Sequence, residues 1–344
     1  MSTMTAAVWS GTDQVEVTDV PLPEVPEGWA LVRIAYNGIC GTDLSIFHGK
    51  HPRAVPGLIP GHEMSGWVER AGASGPAEGT LVTVEPLISC GECKACRDGH
   101  AHVCRRLGLY GIDTPGAMAQ YVALPPEVLH PVPEGVDPRT ATLAEPLAVA
   151  VHAVALSGMR PGDTVAVFGA GPIGMLTALV ARHEGAGRVL VTEPSPWRRQ
   201  VAEGLGFTVV PAGSTMTAEL ADLTDGEGAD VTFDTAAHPS VAAELTAATR
   251  VLGRIVVVGV YKQPVPIDLQ AVCFKEQTLV GVRVYTTADM TRAIELIASG
   301  DLTLDRFPTT AFDLADVGAA FDAATSGQDA LKVLVTPLPG KADA

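Results

Sequence analysis

The chain has 344 residues, 47% of them hydrophobic and 18% charged, with 39 acidic against 23 basic side chains and a formal net charge of −16. That length accommodates about two domains with separate cores, and the balance of apolar to charged residues reads as globular and soluble. The acidity, with no basic run beyond the pairs Arg105–Arg106 and Arg198–Arg199, excludes a phosphate-backbone partner and so nucleic acid.

No apolar stretch reaches the roughly 18–20 residues of a membrane span. The opening MSTMTAAVWSGTDQ lacks the basic and apolar regions of a secretory signal, so a cytoplasmic location is expected. The first 140 or so residues are rich in Gly, Pro and short β-like runs such as WALVRIAY (29–36) and TLVTVEP (80–86), which suggests a barrel-type β domain. The run ATLAEPLAVAVHAVALSG (141–158) has helical spacing and ends at Gly158, a suitable helix stop.

From Asp163 strands and helices alternate. TVAVFG (164–169) reads as a buried strand before a helix reaching about Glu184. RVLVTE (188–193) is the next strand, with a helix from Pro196. DVTFDTA (230–236), a helix near 239–250, GRIVVVGV (253–260) and TLVGVRV (278–284) complete the series. This alternation implies βαβ units around a parallel sheet. The tail holds a helix in TTADMTRAIELIASG and a late strand in LKVLVTP. It is expected to rejoin the first domain, making the α/β domain an insertion.

Gly169-Ala-Gly171-Pro-Ile-Gly174 follows a strand and opens a helix, the context in which a GxGxxG match signifies a dinucleotide site. Gly169 permits the turn, Gly171 admits the pyrophosphate to the backbone, and Gly174 allows close helix–strand packing. The helix N-terminus offers unpaired N–H groups to the phosphates. Glu193 stands about 20 residues on, where an acid binds ribose hydroxyls and repels a 2′-phosphate, so NAD is expected over NADP. Arg198 and Arg199 lie just beyond and weigh the other way. Pro172, Ile173, Arg198 and Gly259 are assigned to the coenzyme side with the glycines and Glu193.

Four of the six cysteines sit within fifteen residues, as Cys90-x2-Cys93-x2-Cys96-x7-Cys104. Four thiolates close a tetrahedral zinc site with no open position, which would organise a loop poor in apolar residues. An iron–sulfur run has a shorter last spacing and a following Pro, and a redox CxxC has two thiols, not four. Cys273, the sixth cysteine, reads as an ordinary core residue. A second metal set is dispersed over Cys40 in GICGTDL, His62 and Glu63 in IPGHEMSG, and Glu145 in LAEPLAVAVHA. Catalytic zinc takes three protein ligands and keeps one position open, which Cys40, His62 and either glutamate would satisfy. Taken singly each has a structural explanation: a buried cysteine, a turn histidine, a helix N-terminal acid.

Gly61-His62-Glu63, the four-cysteine loop, EPLAVAVHA and GAGPIG, in this order, resemble the zinc-containing medium-chain dehydrogenase/reductase superfamily over nearly the whole chain. The acid at Glu145, where the alcohol dehydrogenases proper carry cysteine, is similar to the polyol, butanediol and threonine dehydrogenase branch. The stretch 35–49 resembles aminocyclitol dehydrogenases. The resemblance implies an α/β chain with a Rossmann doubly wound parallel sheet domain (149–285) inserted into a β-rich GroES-like catalytic domain (1–148, with a zinc loop at 89–105, and 286–344). It also implies a cleft between them holding the catalytic zinc, two zinc ions and NAD per chain, and a homodimer or homotetramer.

The activity implied is hydride transfer from a small-molecule secondary alcohol, a polyol, diol or cyclitol, to NAD. An amino alcohol is the alternative. Glu63 or Glu145 contacts the metal directly or through water in such relatives, and Thr42 matches the hydroxyl that passes the substrate proton toward the ribose. Many relatives have His three residues after that Thr. This chain has Ser45, leaving His48 or water to finish the relay. A zinc-free NADPH reductase of the superfamily would lack both metal sets, and retention of Cys40, Thr42, His62 and Glu63 weighs against a non-enzymatic scaffold.

Overall fold

The computed structural model describes residues 2–338 and 340. It divides into two compact units: one takes the residues up to Glu145, Thr286–Gly300 and the described residues from Phe307 on, and the other takes Pro146–Tyr285 with Asp301–Arg306. The division thus falls inside a helix at 145/146. Residues 301–306, expected with the tail, pack in the second unit, where Leu302 and Leu304 are buried and Arg306 donates to the Gly204 carbonyl.

In chain order the elements are β1 (Thr3–Gly11), β2 (Gln14–Pro21), β3 (Ala30–Gly38), α1 (Gly41–Phe47), β4 (Glu63–Arg70), β5 (Leu81–Val84), β6 (Tyr121–Leu124), β7 (Leu129–Pro131) and α2 (Ala144–Ser157). There follow β8 (Thr164–Phe168), α3 (Pro172–His183), β9 (Arg188–Thr192), α4 (Pro196–Gly204), β10 (Thr208–Val209), β11 (Ala229–Asp234), β12 (Thr249–Val257) and β13 (Thr278–Gly281). The chain closes with α5 (Thr287–Ser299), β14 (Thr309–Asp313), α6 (Val317–Ser326) and β15 (Lys332–Thr336); a helix over Met216–Leu223, a two-stranded ladder of Leu87–Ile88 with Gly108–Leu109 and short turns of helix intervene.

The first unit is built on a sheet of order β14-β15-β3-β4-β5-β7, with β6 also paired to β3. Val32 and Ile34 of β3, Met64 and Val68 of β4, Val82 and Val84 of β5 and Val122 of β6 alternate inward to form its core. Register brings the end of β3 between two partners, Gly38 facing Glu63 on β4 and Leu334 on β15. The C-terminal strand therefore lies one strand away from the stretch that begins at His62 and Glu63, across the end of β3.

The second unit has a six-stranded parallel sheet of order β10-β9-β8-β11-β12-β13, the doubly wound arrangement in which the first strand lies centrally. Val165, Ala166, Val167 and Phe168 of β8 are buried on both faces, as a central parallel strand requires. Gly171 caps α3 with Pro172 in its first turn, and Gly158 takes a left-handed φ of 64° just past α2.

Two sequence expectations are corrected here. The helix near 239–250 is two short turns, Pro239–Ala242 and Leu245–Ala248. Lys275 Nζ and Gln277 Nε2 take the Thr246 and Thr249 carbonyls at 2.6–2.9 Å, and Thr249 already belongs to β12. Cys273 is exposed, not core, because it lies on a short helix (Leu269–Phe274) that buries none of its residues.

Candidate metal centres and dinucleotide site

Cys93 caps and Cys96 lies within a single helical turn (Lys94–Arg97), Cys104 follows a second turn, and Cys90 precedes both. These two turns gather the sulfurs: Cys93–Cys96 are 3.5 Å apart, Cys93–Cys104 3.9 Å and Cys90–Cys96 4.0 Å. A tetrahedral site with metal–sulfur bonds near 2.3 Å has edges of about 3.8 Å. The donors therefore fit one zinc ion with no open position. Backbone N–H groups of Cys90 and Arg106 point at Cys104 Sγ, and that of Cys93 at Cys90 Sγ. The N–H groups of Glu92 and Cys93 pull the Cys90 thiol down to about 6, whereas desolvation and the neighbouring thiols push Cys96 up to about 11.

Ligand atoms of Cys40, His62 and Glu63 all lie within 4.8 Å of one another. Cys40 is the N-cap of α1, fixed by its own N–H donating to Asp43 Oδ2 at 2.9 Å. His62 follows Gly61, whose φ of 102° suits only glycine, and Glu63 begins β4. Opposite Glu63, a Cβ at Gly38 would stand 2.2 Å from Oε2, so the carboxylate occupies the space a side chain would need. The set joins a thiol, an imidazole and a carboxylate, the donor types of a catalytic zinc with an open position.

Two residues that motif reading missed complete this environment. Asp43 is fully buried, its Oδ1 3.6 Å from His62 Nδ1, and neither atom has a hydrogen-bond partner among the described residues. Burial alone would lower the proton affinity of His62, but the Asp43 carboxylate outweighs it, with Cys40 adding, and leaves it well above the ordinary histidine value. Lys332, from β15, is buried and places Nζ 2.7 and 2.6 Å from the two oxygens of Glu63, with a further contact to the Ile39 carbonyl. Burial opposes its charge, but Glu63 and then Cys40 favour it more strongly, and Glu145 also contributes.

Glu145 is buried in the first turn of α2, outside the compact trio but close enough for its charge to act on Lys332. Thr42 is partly buried in the first turn of α1. His48 caps the other end of that helix, and its Nδ1 is engaged by Asp13 Oδ1 at 2.6 Å.

In the second unit a cavity of about 1000 Å³ opens at the C-terminal ends of β8 and β9, lined by Gly169, Gly171, Pro172, Glu193, Arg198 and Thr235 among others. This is where an open α/β sheet binds a ligand. Ile173, Gly174 and Gly259, also expected on the coenzyme side, do not line the cavity. A Cβ at Gly174 would meet Gly169 O at 1.9 Å, and one at Gly259 would meet Ala237 at 2.9 Å. Glu193 accepts the Ala170 N–H at 2.8 Å and the Ser195 N–H at 3.0 Å, so it also ties the glycine turn to the end of β9. Arg199 is committed to the Glu193 and Pro194 carbonyls, whereas the buried Nε of Arg198 has no partner among the described residues. The far wall is set by Asp234, whose carboxylate accepts the Ala236 and Ala237 N–H groups and the Tyr261 hydroxyl at 2.7 Å.

Residues 26–134 match the alcohol dehydrogenase GroES-like domain and residues 172–299 the zinc-binding dehydrogenase domain. The chain is 39% identical over 337 residues to the 2-dehydro-3-deoxy-L-galactonate 5-dehydrogenase of Pseudoalteromonas atlantica, covering 96% of this chain and 98% of that one. It is 36% identical to the L-threonine 3-dehydrogenase of Pyrococcus horikoshii over 84% and 86% of the two chains. Among solved structures, a zinc-binding dehydrogenase from Sinorhizobium meliloti bound to NADP superposes with a TM-score of 0.91 at 32% identity, over 98% of this chain and 100% of that one.

Proposed function

The chain belongs to the zinc-containing medium-chain alcohol dehydrogenase family, and from that premise we propose that it oxidises a secondary alcohol of a small, hydroxyl-rich molecule to a ketone with NAD as hydride acceptor. The observation that carries this reading is the convergence of Cys40, His62 and Glu63 within 4.8 Å. Cys40, His62 and Glu63 would hold a zinc ion, which would supply Lewis acidity toward the substrate oxygen, and a bound nicotinamide would supply the hydride acceptor. With Nδ1 turned toward Asp43, His62 is left Nε2 as its ligand atom, the carboxylate–histidine arrangement that fixes ring orientation. Thr42 Oγ1 is the group that would accept the hydroxyl proton while its own proton passes on along the relay. Lys332 competes for Glu63, and Glu145, buried in the first turn of α2, is the second carboxylate that would take part in holding the ion, directly or through water. His48, held by Asp13, leaves the end of the relay to water.

NAD over NADP rests on Glu193 at the tip of β9, with Arg198 beside it as the group that would favour a 2′-phosphate. Two zinc ions per chain follow from the two donor sets. The relatives' names specify carbon 5 of a deoxy sugar acid and carbon 3 of L-threonine. A hydroxy acid or polyol is the first reading, and an amino alcohol the second on the strength of the latter relative.

No helix among the described residues is long and apolar enough to cross a membrane. Six unpaired cysteines and a nicotinamide coenzyme suit the cytoplasm. A homo-oligomer is supported by the open outer edge of β13, around which Val251, Leu252, Leu269, Phe274 and Leu279 are exposed. The test of the activity is nicotinamide reduction by zinc-loaded protein across aldonates, linear polyols, cyclitols and L-threonine. Reduction with a secondary alcohol supports the reading. Reduction with none, at confirmed zinc occupancy, rejects it.

A further inference from the structure

One side chain that neither metal set uses holds a turn lying next to residues that adjoin both sets. Arg53 stands in the segment that runs from the end of α1 to His62. Its Nη1 donates to the Leu107 carbonyl at 2.7 Å and lies 3.2 Å from Asp113 Oδ2. That same carboxylate oxygen accepts the Leu109 N–H at 2.8 Å. The guanidinium thus clamps the turn 107–113 at both ends.

The turn meets Cys104 of one set and, on its other side, Gly61, the neighbour of His62 in the other. On one side the Leu107 N–H donates to the carbonyl of Cys104, the last and only fully buried cysteine of its cluster. On the other side the chain closes on Gly61, the residue before His62. A Cβ at Gly111 or Gly116 would stand 2.3 or 2.2 Å from the Gly61 carbonyl oxygen, which also accepts the Ala117 N–H at 3.0 Å. Gly61 in turn packs against the Asn37 side chain. Backbone in such contact transmits displacement because nothing between the two segments can yield.

A guanidinium 41% exposed contributes little to global stability through its ion pair, so a stabilising role does not account for the geometry. We propose that Arg53 is a positioning residue that couples the four-cysteine lobe to His62. By pinning 107–113, it holds the wall that sets Gly61, so that metal in the four-cysteine site tightens the ligand set at Cys40 and His62. This rests on the two metal assignments above.

The test uses the zinc-loaded protein and two variants, Arg53→Ala and Arg53→Gln, the second retaining a donor for the Leu107 carbonyl. Three quantities are read: zinc release to a chromogenic chelator, amide exchange of residues 107–117, and the split between KM and kcat. Arg53→Ala is expected to fold normally, to exchange faster over 107–117, and to release one of its two zinc ions faster, with kcat/KM lowered on the order of tenfold or more. Arg53→Gln is expected to lie between. Cys104→Ser should also speed release of the remaining zinc, and adding it to Arg53→Ala should give less than the sum of the two effects.

Wild-type zinc release and amide exchange in Arg53→Ala would overturn the proposal, as would strict additivity with Cys104→Ser. These readouts need no substrate. If no alcohol is oxidised by the wild type, the functional reading fails while the coupling is still decided by zinc release.

Discussion

Lys332 and Glu63, 269 residues apart, form a buried ion pair in which one ammonium meets both oxygens of one carboxylate. The pair joins the C-terminal strand to the first residue of β4, so the tail contributes to the candidate metal site as well as closing the sheet. Removing one member of such a pair leaves a buried charge uncompensated, which costs about 3–5 kcal/mol.

Lys332→Met is therefore expected to destabilise the first unit by that order in protein stripped of metal. With zinc bound nearby, the ion would offset part of the uncompensated buried carboxylate charge and the loss should shrink. Denaturant unfolding midpoints with and without chelator measure the difference. Equal losses in the two states would mean that Glu63 does not belong to the metal environment.

Gly174 meets a harder constraint. A methyl group there would sit 1.9 Å from the Gly169 carbonyl oxygen, where neither backbone can retreat. Gly174→Ala should cost about 1–3 kcal/mol through overpacking and weaken NAD binding by displacing the glycine turn. Gly281→Ala, with nothing within 4 Å of the new methyl, is the control and should bind NAD normally. Calorimetric titration with NAD distinguishes the two.

Glu193 ties the glycine turn to the end of β9, and one substitution can separate that from its proposed role toward the coenzyme ribose. Glu193→Gln keeps its size but weakens acceptance from the Ala170 and Ser195 N–H groups and removes the charge facing a 2′-phosphate. A hydrogen bond to a charged group is worth about 1.5–3 kcal/mol, so the NAD/NADP ratio of kcat/KM should fall roughly 10- to 100-fold. Loss of affinity for both coenzymes in equal measure would assign Glu193 to the glycine turn alone.

The two metal sets should differ in what their loss does. A closed four-thiolate site contributes folding energy outright. Cys104→Ser is expected to drop zinc from two ions per chain to one and to lower the thermal midpoint clearly. Metal analysis and calorimetry on the same sample test this, and an unshifted midpoint at one zinc per chain would remove the structural role.

Features encoded by local spacing were legible in the sequence: the four cysteines, the glycine turn with Glu193 after the next strand, and the alternation of β8, α3 and β9. The Asp43 contact with His62 and the Lys332 contact with Glu63 carry no such signature, because sheet register and the fold of α1 create them. The helix expected over 239–250 failed because Lys275 and Gln277, from a later segment, take the carbonyls that would have extended it. Cys273 was misread because an apolar run such as AVCF looks the same in a core and beside an open sheet edge.

The most direct test of the central claim compares alcohol-dependent nicotinamide reduction by Cys40→Ser with that of the wild type, at matched NAD binding. Loss of the ligand set should lower turnover on the order of a thousandfold or more while coenzyme binding in the second unit is unchanged. Cys40→Ser turning over at the wild-type rate would contradict the assignment of Cys40, His62 and Glu63 as the reacting centre.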